Sequence, residues 1–192
     1  MKFRVVNVRG CHGVGKSTAV REFIARVGEE GTHSVPTPKF NSPVTFCKGN
    51  ICVLGNYQQT SPGCDRYSGK HQIHDTILAL IYEYTPRAIV YEGAICSKTA
   101  RGTLELVSKL NSTKYEYRGL TYCAPFSTIY SNIMERNGGN EVNLQLLTNT
   151  FNSVLSSGKA LEQSGCSMRW ISADKLRIDE MPNPIIEAIW GY

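Results

Sequence analysis

The chain is 192 residues long, 41% hydrophobic and 19% charged, with a formal net charge of +5 at pH 7. That length suits one sizeable core and is short for two ordinary domains, so a single domain over residues 1–192 is expected. No apolar run is long enough to span a bilayer and "MKFRVVNVRG" lacks the apolar segment of a secretory signal, which argues against a membrane protein and for the cytoplasm.

The seven cysteines are odd in number, scattered, and without a C-x-x-C pair. That usage points to reduced thiols and away from a disulfide framework or a zinc site. Charge is uneven: residues 1–118 hold 16 Lys/Arg against 9 Asp/Glu (+7), and residues 119–192 hold 5 against 7 (−2). A basic N-terminal part suits a polyanion, whether a nucleic acid or a nucleotide alone.

Elements alternate along the chain. A strand over Lys2–Val8 feeds the loop "RGCHGVGKST", and Val20, Phe23, Ile24 and Val27 then recur at helical spacing in a helix from Lys16 to about Val27. The polar stretch "SVPTPKFNSP" reads as a connection into "VTFCKGNICVLGNY", two short strands around the Lys48-Gly49-Asn50 turn. "QQTSPGCDRYSGK" is a loop of turn formers with a single acid, Asp65. A helix from about His71 to Tyr84 presents Ile73, Ile77, Leu80 and Ile81 on one face, and Pro86 stops it. "RAIVYEGAICS" has the continuous apolar character of a strand buried on both faces, ends in Glu92-Gly93, and is followed by helix to about Leu110. "EYRGLTYCAPF" is a strand broken at Pro125, "STIYSNIMERNGGN" a helix running into a glycine-rich break, and "VNLQLLTNTFNSVLSS" a further helix. "MRWISA" is the last strand, and "PNPIIEAIWGY" the last helix, with Pro182 or Pro184 near its start. Such alternation predicts an α/β fold with a mostly parallel sheet and ligands at the carboxyl ends of its strands.

Gly10-x-x-x-x-Gly15-Lys16-Ser17 fulfils G-x-x-x-x-G-K-[ST] between a strand and an amphipathic helix, the setting its chemistry needs. Glycines let the backbone curl so that successive N–H groups point inward, and the helix N-terminus turns its positive end to the same cavity. Gly10, Gly13, Val14, Gly15, Lys16, Ser17 and Thr18 are therefore expected to cradle ATP, with Lys16 on the β- and γ-phosphates and the Ser17 hydroxyl on Mg²⁺. Arg9 and His12 receive no catalytic role.

A hydrolytic P-loop protein needs a strand ending in Asp, whereas "AIVYEG" ends in Glu92, which could hold Mg²⁺ or act on an acceptor. No guanine-reading N-K-x-D occurs, so a kinase is expected over a GTPase. The strand ending at Ala124-Pro125 and the helix leading to Glu135-Arg136-Asn137 resemble the lid entry of nucleotide and nucleoside kinases. The lid would span about residues 134–145, and Arg136 would neutralise charge on the transferred group.

Together, "RGCHGVGKSTAVREF", "VLGNYQQTSPGCDRYSGK" and "IVYEGAICSKTARG" resemble a group of small bacteriophage P-loop kinases similar to the 5-hydroxymethyluracil DNA kinases of DNA hypermodification. The resemblance runs from Met1 to about Asn140. It implies a P-loop kinase-like three-layer sandwich with a helical lid, a phage protein acting in the host cytoplasm, and ATP- and Mg²⁺-dependent phosphorylation of the hydroxymethyl group of 5-hydroxymethyluracil in DNA. A primary hydroxyl attacking the γ-phosphate needs a carboxylate to take its proton; Asp65 is the first choice and Glu92 the second, with Mg²⁺ the main task of Glu92. Ser97, Lys98 and Arg101 follow "EG" at a place suited to an acceptor phosphate, and Tyr57 and Tyr67 flank Asp65 where an extruded base could stack. Two other readings stay open: a kinase of a free nucleoside, nucleotide or other small metabolite, and an ATP-binding regulatory protein that transfers nothing. The sequence does not set the oligomeric state.

Overall fold

The structure, a computed structural model, describes residues 3–59 and 62–191. Lys2 of the first expected strand and Thr60 and Ser61 of the turn-rich loop lie outside the described residues. Among the described residues, seven strands form one sheet in the order β2-β3-β4-β5-β1-β6-β7. They are β1 (Phe3–Arg9), β2 (Glu29–Pro36), β3 (Asn41–Cys47), β4 (Ile51–Leu54), β5 (Ala88–Glu92), β6 (Tyr115–Cys123) and β7 (Met168–Ser172). β4, β5, β1, β6 and β7 are mutually parallel, and β2 and β3 extend the sheet antiparallel beyond β4. This is the mostly parallel α/β sheet expected.

The helices are α1 (Lys16–Val27), α2 (Lys70–Ala79), α3 (Ala94–Lys98), α4 (Ala100–Leu110), α5 (Phe126–Arg136), α6 (Leu144–Gln163) and α7 (Asn183–Trp190). Side-chain alternation along the central strands divides the interior in two. Val6, Val8 and Val90 join one core with Val20 and Phe23 of α1, Ile129 and Ile133 of α5, and Ile185 and Ile189 of α7. Val5, Ile89 and Tyr91 join the other with Ile73 and Ile77 of α2 and Leu106 and Leu110 of α4. Helices on both faces of a parallel sheet give three layers, and every residue of β5 is buried, as its unbroken apolar run requires.

Four local features differ from the sequence reading. β2 occupies Glu29–Pro36, which the sequence leaves without a strand and which runs into the polar connection "SVPTPKFNSP". It is an edge strand with only Val35 fully buried, so no apolar alternation marks it, and its pairing with β3 forms it. The helix after Glu92 is broken at Thr99, whose φ of −129° and ψ of 138° are extended, so that α3 and α4 are separate helices. The helix at residues 70–84 ends in a π turn over Leu80–Tyr84, where the Thr85 N–H donates to the Leu80 carbonyl at 2.9 Å. α6 also runs to Gln163, six residues past the expected end at Ser157.

Candidate active site

The carboxyl ends of β1, β4 and β5 converge. β1 delivers the chain into the phosphate loop, where Gly10, Gly13 and Gly15 have φ of 148°, 78° and 92°. A Cβ on Gly13 would lie 2.7 Å from Ile133 Cγ1 and 2.9 Å from the Ile129 carbonyl, so both conformation and space demand glycine there. The Asn132 amide donates to the Gly13 carbonyl at 2.9 Å and ties α5 to the loop. Lys16 and Ser17 open α1; the Lys16 ammonium donates to the Cys11 carbonyl at 2.9 Å, curled back over its own loop.

Glu92, the last residue of β5, is 1% exposed. Its Oε1 accepts from the Ser17 hydroxyl at 2.9 Å and from the Tyr57 hydroxyl at 3.4 Å, while Oε2 is buried with no partner. Burial raises the Glu92 pKa above the ordinary value, more than the Lys16 charge and the Ser17 hydrogen bond lower it. A hydroxyl and a buried carboxylate with one orphaned oxygen form an all-oxygen set of the kind a hard divalent cation takes. Ser17 and Glu92 thus fit Mg²⁺. Gly63, with φ of 66°, packs so close to this carboxylate that a Cβ would come within 2.5 Å of Oε1.

Asp65 sits in the 3-10 turn Gly63–Arg66, exposed toward the same cleft. Its Oδ1 accepts from the Ala94 N–H at 2.9 Å, capping the start of α3 from a distant loop. The cleft holds about 940 Å³ and is lined by the phosphate-loop residues 12–18 except Val14, by Asp65, Asn132 and Arg136, and by Arg21 and Ile178. A second cavity of about 290 Å³ shares His12 and Arg136 with the first and adds Lys98, Ile133 and Leu147. Burial, and then the Lys16 charge, hold the His12 pKa below its ordinary value.

The structure therefore brings together Lys16, Ser17, Thr18, Glu92, Asp65 and Arg136. Val14 is buried in the core beneath the loop. Four of the expected substrate contacts stand differently. Tyr57 and Tyr67 are 7% and 5% exposed, with hydroxyls committed to Glu92 and to the Pro43 carbonyl, so neither offers a ring face to a base. Ser97 is fully buried; its hydroxyl donates to the Gly93 carbonyl at 2.9 Å and accepts from the Gly10 N–H at 3.2 Å, binding α3 to the phosphate loop instead of contacting an acceptor. Arg101 is exposed on α4, its guanidinium on Glu105 at 3.2 Å, outside the main cleft. Only Lys98 reaches the reaction side, as a wall of the second cavity.

Sequence reasoning missed Arg21, Asn132 and Ile178. Arg21 lies one turn after Ser17 and a helical projection would have found it; Ile178 arrives from a distant loop and no local signal announces it.

Comparison with known proteins follows this geometry. The sequence profile of a family described as 5-hmdU DNA kinase matches residues 2–167. A 5-hmdU DNA kinase of Pseudomonas phage M6 is 30% identical over 150 residues, covering 72% of this chain and 75% of that protein. That of Pseudomonas phage PaMx11 is 30% identical over 101 residues, covering 50% and 51%. Among solved structures, deoxyadenosine kinase from M. mycoides with bound dCTP superposes with a TM-score of 0.51 at 13% identity, covering 98% of this chain and all of that one. A fungal RNA kinase superposes with a TM-score of 0.55 at 8% identity, covering 97% and 85%. These two likenesses establish the P-loop kinase fold.

Proposed function

The chain belongs to the 5-hmdU DNA kinase family and is a phosphotransferase, and from that premise we propose that it moves the γ-phosphoryl group of ATP onto the hydroxymethyl oxygen of 5-hydroxymethyluracil in DNA. Membership sets aside the reading as a regulatory protein that transfers nothing. The observation that carries the proposal is the pair of carboxylates on one cleft: Glu92 buried against Ser17 of the phosphate loop, and Asp65 exposed to the space in front of it.

The two carboxylates have different surroundings and take different tasks. Glu92, with Ser17, would hold Mg²⁺, which when bound neutralises phosphate charge. Asp65 is fixed through Oδ1 by the Ala94 N–H, which leaves Oδ2 to take the proton of the attacking hydroxyl. Lys16 exchanges its bond to the Cys11 carbonyl for phosphate oxygens, and Arg136, between the two cavities, balances charge on the group in transit.

The test is transfer of labelled γ-phosphate from ATP with Mg²⁺ to DNA containing 5-hydroxymethyluracil, to ordinary DNA, and to free nucleosides and nucleotides. Label in the modified DNA alone is the expected result; label in a free nucleoside or nucleotide alone would replace this reading by a metabolite kinase. Lys16→Ala should abolish transfer while the protein stays folded, and retained transfer would refute the role given to the phosphate loop.

A further inference from the structure

α6 lies against α3 and α4, and its open surface has an unusual charge pattern. From Leu144 to Ala160 it carries no acidic residue. Asn149, Asn152, Ser153 and Ser156, spaced to fall on one face, form one wall of a cleft of about 680 Å³ whose opposite wall carries Lys98 and Arg101. No acidic side chain lines this cleft. The Arg101 guanidinium pairs with Glu105 at 3.2 Å, and Glu105 is shared with Lys70 at 2.7 Å. Lys70, Lys98 and Arg101 against Glu105 leave a local balance of +2 (three minus one).

The cleft adjoins the smaller cavity of the candidate active site at Lys98. Lys98 lines it on one side and on the other lines the cavity that holds His12 and Arg136. A free nucleoside would end at the active site and leave this second cleft without use, whereas a polymer has neighbouring phosphates to lay along it. Amide and hydroxyl side chains facing fixed cations are the contacts that sugar–phosphate backbones receive when sequence is not read.

We propose that the cleft between α6 and the Lys98–Arg101 segment carries the sugar–phosphate backbone of the DNA strand next to the target nucleotide. Lys98 and Arg101 meet phosphates, and Asn149, Asn152, Ser153 and Ser156 meet phosphate and sugar oxygens. The proposal rests on the reading of the protein as a DNA kinase. It makes α6 a nucleic-acid helix, and it gives Arg101 a task that its distance from the main cleft otherwise denies it.

The test places charge on the α6 wall, at exposed positions where the fold has little at stake. An Asn152→Asp, Ser156→Glu double variant and, in the opposite sense, Ser156→Lys are compared with the wild type. Fluorescence anisotropy on a single-stranded oligonucleotide containing 5-hydroxymethyluracil is followed over a range of salt, and a rise in melting temperature with ATP marks folded protein. The acidic variant should bind about tenfold more weakly, with the slope of log affinity on log salt reduced by roughly 0.7, and Ser156→Lys should bind more tightly with a steeper slope. Equal affinities and slopes across the three proteins, with wild-type transfer to DNA intact, would overturn the cleft and leave the DNA kinase reading standing. A wild type that neither binds the oligonucleotide nor phosphorylates it, while phosphorylating a free nucleoside, would overturn both.

Discussion

Replacing Glu92 by Gln should separate the chemistry of the site from its stability. The Glu92 side chain is 1% exposed and burial raises its pKa, so its charged form is costly to the fold. Gln keeps the volume and an acceptor for the Ser17 hydroxyl, and its amide nitrogen replaces an Oε2 that has no partner. An unpartnered buried amide costs about 1–3 kcal/mol, and relief from burying a charge returns a similar or larger amount, so the metal-free variant should lie within about 2 kcal/mol of wild type. With Glu92 as the proposed anionic ligand of Mg²⁺, transfer should nevertheless fall about 100-fold or more and require more Mg²⁺. The pH dependence has a definite sign. A carboxyl whose folded pKa is raised holds its proton where the unfolded chain has released it, so its contribution is complete below the ordinary value of 4.5 and is lost as pH rises through the raised folded value. The stability of Glu92→Gln relative to wild type should therefore climb with pH across that window and then level off. Urea denaturation in metal-free buffer measures the first effect and γ-phosphate transfer over a Mg²⁺ titration the second. Transfer within a few-fold of wild type at the same Mg²⁺ requirement, or a stability difference that is flat in pH, would refute the reasoning.

Asp65→Asn keeps an oxygen to accept from the Ala94 N–H, so the turn and α3 should stay in place while the rate of transfer drops by about 10²–10⁴-fold; an unchanged rate would remove Asp65 as the base. His74 is buried and its pKa is lowered to about 4, so between the ordinary 6.5 and about 4 the unfolded chain binds the extra proton and stability falls as pH falls, by up to ~1.4 kcal/mol per pH unit. His74→Gln should flatten that slope in urea titrations; an unchanged slope would place the acid sensitivity elsewhere. Gly13→Ala forces φ of 78° on a side chain that meets Ile133 and the Ile129 carbonyl, which should lower stability by about 2–4 kcal/mol and weaken ATP binding; a thermal melt with and without ATP would read both losses.

The parallel core of the sheet is legible in the chain because its strands are buried on both faces and show as unbroken apolar runs, with β5 the clearest. β2 is hidden for the converse reason: an edge strand with one neighbour needs no apolar face, and a proline at its end, Pro36, with another at Pro38 reads as a turn. The conformation of the phosphate loop is legible because its glycine spacing suits a strand-to-helix turn, and the position of Glu92 because it ends a buried strand beside that loop. The tyrosines at 57 and 67 are not, since an aromatic residue in a turn-rich loop reads alike whether its ring faces a ligand or a core; here Gly55 packs against Gly63, which draws the loop down onto β5 and buries both rings.

Arg9 shows most clearly why a site resists reading from a one-dimensional string. It is a charged residue at the end of a strand, with no motif to mark it, and it is fully buried. Its guanidinium donates to the Cys96 carbonyl at 2.7 Å, the Ser97 carbonyl at 2.8 Å, the Thr103 hydroxyl at 3.3 Å and the Ser157 hydroxyl at 2.6 Å. Two of these acceptors are carbonyls near the end of α3, and Ser157 in turn donates to the Ser97 carbonyl at 2.5 Å. Hydrogen bonds to a charged donor are among the stronger contacts in an interior, and together they offset the cost of removing the guanidinium from water. They also join β1, α3, α4 and α6 directly behind the phosphate loop. Three segments, α3, α4 and α6, whose acceptors lie 87 to 148 residues from Arg9 in the chain, are thus tied to the end of β1 by one side chain.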